Sequence, residues 1–324
     1  MSHNPRVFVT RRLPGDALER LAKHAEVDLW PGDLPPPYDE LRRHTAAADA
    51  LICLLTDRID AALIDASPRL RVISAVAVGY DNIDVAAATA RGIPIGNTPG
   101  VLTETTADLA FALMLAVARR ITEADRFVHD GEWKTWDPNL LLGYDLHSAT
   151  LGIVGYGAIG RAVARRASGF GMRVLYVART PVNIPDHIAT PIDLDTLLRE
   201  SDFVSLHVPL TPETSHLIGE GELRAMKRTA ILVNTARGPV IDQRALIRAL
   251  EEGWIAGAGL DVAEVEPIAP DDPLLRAPNA VLLPHIGSAS HATRERMASI
   301  AVDNCIAGLR GERPPHCVNP EVYP

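Results

Sequence analysis

A glycine-rich turn at residues 155–160 constrains the fold of this chain more than any other feature. The stretch LGIVGYGAIGRAVARR (151–166) places three glycines between an apolar run and a helical pattern. Glycines at this spacing permit a tight strand-to-helix turn, close approach of the backbone to a pyrophosphate, and close packing of helix on strand. The N-terminus of the following helix offers free N–H groups to the phosphates. The pattern therefore predicts a dinucleotide site formed by Gly155, Gly157, Ala158, Ile159 and Gly160.

The end of the next strand indicates which dinucleotide is bound. An NAD-binding domain places an acidic residue there, about 20 residues after the turn, where it holds the ribose 2′-hydroxyl. In the strand VLYVART (174–180) this position is Ala178, followed by Arg179 and Thr180. Without the acid a 2′-phosphate is not repelled, and an arginine fork with a hydroxyl can bind it. We expect NADP(H) to be preferred, with NAD(H) as an alternative. In the competing interpretation Arg179 is a solvated loop residue and cofactor choice is loose.

The order of predicted elements indicates an α/β fold. Short β-branched runs alternate with helical patterns, which predicts parallel sheets covered by helices. Pro/Gly junctions near 97–102 and 284–290 bracket a second α/β unit, and a helical pattern from Ser288 to about Leu309 can pack back on the first. We therefore expect two Rossmann-like or flavodoxin-like doubly wound parallel-sheet domains with a cleft between them. The predicted domains are a discontinuous substrate-binding (catalytic) domain, 1–98 plus 289–324, and a dinucleotide-binding domain, 99–288.

Composition and charge disfavour several classes of protein. The net charge is −9 and no basic run stands out, so we expect no nucleic-acid partner. The most apolar helical stretch, 109–118, is far shorter than the roughly 20 residues that span a bilayer. The opening MSHNPRVFVTRRLPGD has proline and charges where a secretion signal would be apolar. The three cysteines form no pairing or metal motif. We expect a cytoplasmic protein with no metal and no membrane partner.

Three ionisable residues lie at or near predicted strand ends of the second unit, where doubly wound folds bind ligands. Arg237 follows ILVNTA, Glu266 follows GLDVAEV, and His285 follows AVLLP. Histidine can protonate a carbonyl oxygen at neutral pH, and a carboxylate on its other nitrogen fixes the tautomer. Arginine can bind the carboxylate of a 2-oxo acid through two parallel N–H bonds. Taken alone, Arg237 would be interpreted as a surface charge, Glu266 as a loop carboxylate and His285 as a structural histidine. Beside a nicotinamide cofactor, the trio predicts reduction of a 2-oxo acid.

Six segments carry a resemblance to a known family. They are VGYDNID (78–84), NTPGVLTETTADLAFALML (97–115), GIVGYGAIG (152–160), VNTARGPVID (233–242), GLDVAEVEP (259–267) and LLPHIGSAS (282–290). In this order they resemble the D-isomer-specific 2-hydroxyacid dehydrogenases over nearly the whole chain. GEWKTWDPNLLLGYDL (131–146) and the Ala-Arg-Thr loop are most similar to the glyoxylate/hydroxypyruvate reductases.

The resemblance implies roles for individual residues. Arg237, Glu266 and His285 match the family's catalytic trio, with Glu266 rather than Glu264 as the acid before Pro267. The N–H groups of Val78 and Gly79 would receive the substrate carboxylate, and Leu55 would line the same pocket with Arg237 and His285. Asp261 would meet the nicotinamide carboxamide. The other positions that match cofactor contacts are Thr106, Pro209, Thr235, Ala236, Arg237, His285 and Gly287.

The resemblance also implies a homodimer. The arm, about 103–146, would pair with a second subunit, and Trp136 or else Trp133 would enter the neighbour's active site. The alternative is ordinary packing of these tryptophans at a subunit contact.

Residues that differ from those of related families narrow the range of expected activities. Formate dehydrogenases carry Gln where Glu266 stands, and phosphite dehydrogenases carry Lys where Val78 stands, so both are disfavoured. The leading hypothesis is NADPH-dependent reduction of glyoxylate to glycolate and of hydroxypyruvate to D-glycerate. Alternatives are a 2-ketogluconate or broad-specificity D-2-hydroxyacid dehydrogenase and, more remotely, a nucleotide-sensing corepressor that binds peptides. The corepressor would be expected to have long disordered flanks.

Overall fold

The structure is a computed structural model that describes residues 4–179 and 188–323. The chain divides into two compact units, one comprising Met1–Leu102 with Ala289–Pro324 and the other Thr103–Ser288. The assignment of substrate binding to one domain and dinucleotide binding to the other stays a prediction.

The elements of both units are named in chain order. The strands are β1 (Arg6–Val9), β2 (Glu26–Leu29), β3 (Ala50–Cys53), β4 (Val72–Ala75), β5 (Ile95–Gly96), β6 (Thr150–Val154), β7 (Arg173–Val177), β8 (Thr190–Pro191), β9 (Phe203–Leu206), β10 (Ile231–Asn234), β11 (Gly257–Leu260) and β12 (Ala280–Leu282). The α-helices are α1 (Ala17–Ala22), α2 (Tyr38–Ala46), α3 (Ala61–Asp65), α4 (Val85–Ala90), α5 (Thr103–Ala118), α6 (Ile121–His129), α7 (Ala158–Gly169), α8 (Leu194–Glu200), α9 (Glu220–Ala225), α10 (Gln243–Glu251) and α11 (His291–Leu309). Short 3-10 helices cover Gly238–Val240, Pro273–Arg276 and Pro320–Val322.

The first unit is built on a five-stranded parallel sheet with the order β2-β1-β3-β4-β5. All residues of β3 and β4 are buried, which is why these strands are continuous apolar runs in the sequence. Helix α11 returns from the end of the chain and packs Ala298, Val302 and Cys305 against this sheet and α1. Loops that carry Leu55 and Val78 leave the carboxyl ends of β3 and β4, the edge at which doubly wound sheets bind ligands.

The second unit is built on a seven-stranded parallel sheet with the order β12-β11-β10-β9-β6-β7-β8. Strand order reverses at the pair β6 and β9, so the crevice that binds ligands is expected at their carboxyl ends. One core cluster packs α5 and α7 on one set of strand side chains, and another involves α8, α9 and α10. The predicted fold class, two α/β units with parallel sheets, is confirmed.

The helical pattern from Thr103 to Asp130 forms two helices, α5 and α6. The break falls at Arg120, whose φ of +52° is in the left-handed region. Tyr144 N donates a hydrogen bond to Ala118 O at 2.8 Å, so a later segment satisfies the end of α5. Gly143 is needed for this approach, because a Cβ there would lie 2.0 Å from Ala118 O. Helix α6 has no buried residue within this chain.

Neither a membrane-spanning helix nor a metal-binding cluster is found in residues 4–179 and 188–323. No helix there is both long enough and apolar enough to cross a membrane. No group of three or more His, Cys, Asp or Glu in the same ranges could hold a metal ion.

Candidate active site

The glycine-rich turn begins at Gly155, directly after β6. Gly155 N donates to Val177 O at 2.9 Å, which ties the turn to the end of β7. Its φ is +97°, and a Cβ there would lie 2.6 Å from the carbonyl carbon of His207. Both the backbone conformation and the neighbouring strand end therefore require glycine.

The other two glycines serve the start of α7. A Cβ on Gly160 would lie 2.2 Å from Gly155 O, so this glycine allows the helix to pack on the turn. Gly157 precedes the first helical residue, Ala158, and a Cβ there would meet no atom within 4 Å. Gly157 and Ala158 are exposed, and Ile159 is half-buried. The N-terminus of α7 thus opens on free space with its N–H groups unused by a side-chain cap, which fits a pyrophosphate.

Two polar atoms at neighbouring strand ends are buried without a partner among the described residues. They are Nδ1 of His207, after β9, and Oγ1 of Thr235, after β10. The other ring nitrogen of His207 lies 2.9 Å from Ser205 Oγ, and burial lowers the pKa of His207 to about 4, so the ring is neutral at pH 7. Buried polar atoms without partners in a folded protein call for a ligand or water. The residues present therefore fit a dinucleotide at this edge.

Thr235 was predicted from the resemblance, whereas His207 was missed. Its signal in the sequence is its place near the end of the predicted strand DFVSLHV (202–208), and the strand itself ends at Leu206, which puts His207 at the ligand-binding edge of the sheet. Pro209, two residues further on, is exposed, and its carbonyl accepts the Thr214 hydroxyl at 2.6 Å.

The segment after β7 is described as far as Arg179. Ala178, half-buried, occupies the position where an acid would hold a ribose hydroxyl, and Arg179 is exposed. The hydrogen bond from Thr211 lowers the pKa of Glu213, and the charge of Arg179 contributes to the same shift. Arg179 thus acts electrostatically on the loop after Pro209. The predicted contact of Thr180 lies outside the described residues.

His285 and Glu266 form a hydrogen-bonded pair. His285 Nδ1 lies 2.8 Å from Glu266 Oε2, and the two side chains are 25% and 31% exposed. Ala263 N donates to the other carboxylate oxygen at 3.1 Å, so both oxygens of Glu266 are engaged. His285 has a φ of +56°, a conformation that costs free energy in a non-glycine residue and is often found at functional sites. The pair leaves Nε2 as the nitrogen that can exchange a proton.

Asp261 holds the backbone around this histidine. Its main-chain oxygen accepts His285 N at 2.9 Å, and its carboxylate accepts Ile286 N and Gly287 N, each at 2.7 Å. Burial raises the pKa of Asp261, and the two amide bonds oppose that shift. Thr106 Oγ1 donates to Gly287 O at 3.1 Å. The structure thus groups four predicted site residues: Thr106, Asp261, His285 and Gly287.

Arg237 lies on a turn after β10 that the side chain of Asn234 stabilises. Asn234, fully buried, donates to Arg237 O and accepts Ala236 N, both at 2.9 Å. The guanidinium of Arg237, half-buried, donates to Ala236 O at 2.9 Å. A Cβ on Gly238 would lie only 1.8 Å from Ala263 O, so this turn packs backbone to backbone on the loop that carries Glu266.

Glu264 has different partners from Glu266. Its Oε1 lies 3.0 Å from His216 Nε2, and its Oε2 accepts Gln243 N at 3.3 Å. The carboxylate on His285 is therefore that of Glu266, next to Pro267.

The substrate residues predicted in the first unit lie on two of its loops. Leu55 is 37% exposed, and Val78 and Gly79 are half-buried. The amide of Asn82 donates to Leu54 O and to Asp57 O at 3.0 and 2.7 Å. The loop with Leu55 is thus tied to the segment that carries Val78 and Gly79.

Comparisons with known proteins agree on one family. The model of the D-isomer specific 2-hydroxyacid dehydrogenase, NAD binding domain, matches residues 111–287. The chain is 59% identical to a glyoxylate reductase of Korarchaeum cryptofilum, over 98% of this chain and 97% of that protein.

Solved structures give the same result over the full fold. The chain superposes with a TM-score of 0.92 on a Thermus thermophilus protein that is 53% identical, covering 97% and 99% of the two chains. The TM-score is 0.86 for the NADPH-dependent glyoxylate/hydroxypyruvate reductase of Sinorhizobium meliloti in complex with NADP and malonate, which is 34% identical, covering 98% and 97%. The resemblance read from the six sequence segments is confirmed, and the chain belongs to the D-isomer specific 2-hydroxyacid dehydrogenase family.

Proposed function

We propose that this protein reduces small 2-oxo acids with NADPH, converting glyoxylate to glycolate and hydroxypyruvate to D-glycerate. The observation that carries the proposal is the hydrogen-bonded pair of His285 and Glu266 on loops that also hold Arg237 and Asp261. A proton donor, its orienting carboxylate and an acid-binding arginine are what reduction of a 2-oxo acid requires. The names of the relatives support glyoxylate as a substrate.

The cofactor is held, in this proposal, by the carboxyl edge of the second sheet. The turn from Gly155 to Gly160 and the N-terminus of α7 receive the pyrophosphate. Thr235 and His207 offer the buried polar atoms described above, and Asp261 retains acceptor capacity for a carboxamide because a carboxylate has about four acceptor positions. When bound, the nicotinamide supplies the hydride that reduces the carbonyl carbon. The remaining proposed contacts are Thr106, Pro209, Ala236, Arg237, His285 and Gly287.

His285, oriented by Glu266, donates the proton to the substrate's carbonyl oxygen. With Nδ1 on Glu266 Oε2, the proton that the substrate's carbonyl oxygen takes up comes from Nε2 of His285. Glu266 fixes the direction of the ring, and its second bond, from Ala263 N, fixes the carboxylate in turn. The positive charge that the ring carries before the transfer is balanced by this carboxylate.

Arg237 binds the substrate's carboxylate in this scheme. A guanidinium offers two parallel N–H donors that match a carboxylate, and it polarises the adjacent carbonyl. In the first unit, we propose that the backbone N–H groups of Val78 and Gly79 bind a substrate carboxylate and that Leu55 limits the length of the substrate. His285 and Arg237 thus act on opposite functional groups of one small molecule.

The initial rates of glyoxylate and hydroxypyruvate reduction, measured with NADPH and NADH in parallel, test this function. We expect turnover of both acids and preference for NADPH. If neither acid is reduced, the substrate assignment is wrong, and longer 2-oxo acids are tested next, starting with 2-ketogluconate. Preference for NADH would overturn the cofactor assignment and leave the reaction type standing.

The cofactor preference predicts the effect of one substitution. Arg179→Ala should raise the Kd of NADPH by about tenfold, the loss of one charge-assisted hydrogen bond, and leave the Kd of NADH nearly unchanged. Titration of both dinucleotides by nicotinamide fluorescence measures the two constants. Arg173→Ala is the matched control: this exposed arginine at the start of β7 pairs with Glu200 at 2.9 Å, and its loss should change neither Kd. Equal losses for the two dinucleotides in R179A would contradict a 2′-phosphate contact.

We also propose that the protein is a homodimer that pairs through the arm. Apolar side chains are exposed there in quantity: Ile121 is 50% exposed, Trp133 59%, Leu142 65% and Trp136 77%. Several large apolar residues exposed within one segment are typical of a protein–protein interface. A second copy of the chain is the partner proposed, and Trp136, the more exposed tryptophan, is the one proposed to reach its active site.

A further inference from the structure

The backbone at Val78 and Gly79 has two N–H groups without an acceptor among the described residues. Val78 N and Gly79 N donate to no acceptor among the described residues, although both residues are half-buried. Neighbouring backbone N–H groups behave differently, since Val76 N donates to Cys53 O at 2.9 Å and Thr98 N to Ala77 O at 2.8 Å. Free N–H groups on two consecutive residues form a small anion-binding concavity. The proposed function places the substrate carboxylate there.

The direction of the Gly79 donor is set by one side chain. Asn97 Nδ2 donates to Val78 O at 2.8 Å. A trans peptide is planar, with its C=O and N–H on opposite sides, so a bond that fixes the Val78 carbonyl also fixes where Gly79 N–H points. Asn97 thus keeps the Gly79 donor pointing away from the Asn97 side chain.

Asn97 is itself rigidly mounted. Its N–H donates to His316 O at 3.1 Å, and its carbonyl accepts Asn304 Nδ2 at 2.8 Å. Asn304 is fully buried in α11 and also accepts His316 N at 3.1 Å. The preceding residue, Gly96, is packed so tightly that a Cβ would lie 2.6 Å from Asn304 Cβ. The backbone of Asn97 is thus hydrogen-bonded at both its N–H and its carbonyl, which holds the residue in place beside Val78 O.

We propose that Asn97 is a positioning residue for substrate binding, which aims the Gly79 N–H at the carboxylate of the 2-oxo acid. The inference rests on the proposed function, because it takes Val78 and Gly79 as the groups that receive that carboxylate. Asn97 acts through the peptide and touches neither cofactor nor reacting atoms. Its loss weakens substrate binding and leaves hydride and proton transfer intact once substrate is bound.

The test compares Asn97→Ala and Asn97→Asp with the wild type. Asn97→Ala removes the donor, and Asn97→Asp keeps the size but puts a carboxylate against Val78 O. We expect the KM for glyoxylate to rise by about tenfold in N97A and by at least as much in N97D, with kcat changed less than about threefold. The Kd of NADPH should stay at the wild-type value in both.

Asn319→Asp is the matched control. Asn319 is a fully buried asparagine of the first unit, and its Nδ2 donates to Ile93 O and Thr89 Oγ1, both at 3.0 Å. Its Oδ1 accepts Ile95 N at 2.7 Å, a bond that an aspartate can keep, and it makes no bond to Val78 or Gly79. N319D should lower the melting temperature and leave the KM unchanged. If both Asn97 variants keep the wild-type KM, or if kcat falls with no rise in KM, the inference is wrong while the proposed function stands. If the wild type reduces no 2-oxo acid, the proposed function fails and this inference falls with it.

Discussion

His285→Ala is expected to lower kcat for glyoxylate reduction by about 10²- to 10⁴-fold, the usual loss when a general acid is removed. The Kd of the dinucleotide should change little, because His285 is only one of its many proposed contacts and those of the Gly155 turn and Asp261 are kept. The KM should change less than kcat, since Arg237 still binds the carboxylate. Steady-state rates together with a fluorescence titration of NADPH give the three constants. Turnover near the wild-type rate would refute the role of His285.

The chain provides a close control for this experiment. His216 also pairs with a glutamate, at 3.0 Å from Glu264, and also has a positive φ, +51°. It lies in the same unit but in none of the proposed roles. His216→Ala removes a comparable hydrogen-bonded histidine–glutamate pair and should leave kcat within about threefold of the wild type. A large kcat loss in H285A alone would therefore reflect proton transfer rather than loop disruption.

Much of the fold was predictable because parallel sheets impose a strong pattern. Strands such as β3, β4 and β10 are buried on every residue, so they stand out as apolar runs between helical segments. The break between α5 and α6 was not predictable. No glycine or proline marks this break in the sequence. The carbonyl of Ala118 at the end of α5 accepts a hydrogen bond from Tyr144 N, a contact that exists only after the chain has folded back. Strand β8, of two residues, is too short to show a period.

Some residues of the candidate site were predictable from the sequence, and others were not. The glycines at 155 and 160 were predictable because the turn itself requires them, through the positive φ of Gly155 and the contact of Gly160 with Gly155 O, whereas the clash of a Gly155 Cβ with His207 is visible only in the folded sheet. The pairing of His285 with Glu266 was proposed from chemistry, and the structure places the two atoms 2.8 Å apart. His207 and Asn97 were not identified. A strand-end histidine looks the same in a sequence whether Nδ1 is paired or not, and an asparagine in a Pro/Gly junction reads as a turn residue.

Arg237→Ala is expected to lower kcat/KM for glyoxylate by about 150-fold, or about 3 kcal/mol. Two charge-assisted N–H bonds to the substrate's acid are lost, and each contributes about 1.5 kcal/mol or more. The larger part of the loss should fall on KM, because the bond to the carboxylate exists before the reaction. A part should fall on kcat, because the guanidinium also polarises the carbonyl. The separate values of kcat and KM measure this division.

Arg237→Lys distinguishes charge from geometry at the same position. An ammonium keeps the positive charge but cannot make the two parallel bonds of a planar fork, so R237K should recover only part of the loss in R237A. Arg248→Lys is the control: this arginine of the same unit pairs with Glu220 at 3.0 Å and lies 5.2 Å from the Trp254 ring, and its replacement should leave kcat/KM unchanged. If R237K recovered the full wild-type kcat/KM, the positive charge alone would be sufficient to bind the substrate's carboxylate. The proposed bidentate contact would then be wrong. A wild-type KM in R237A would remove Arg237 from the substrate site altogether, and the acid would then be bound by backbone N–H groups alone.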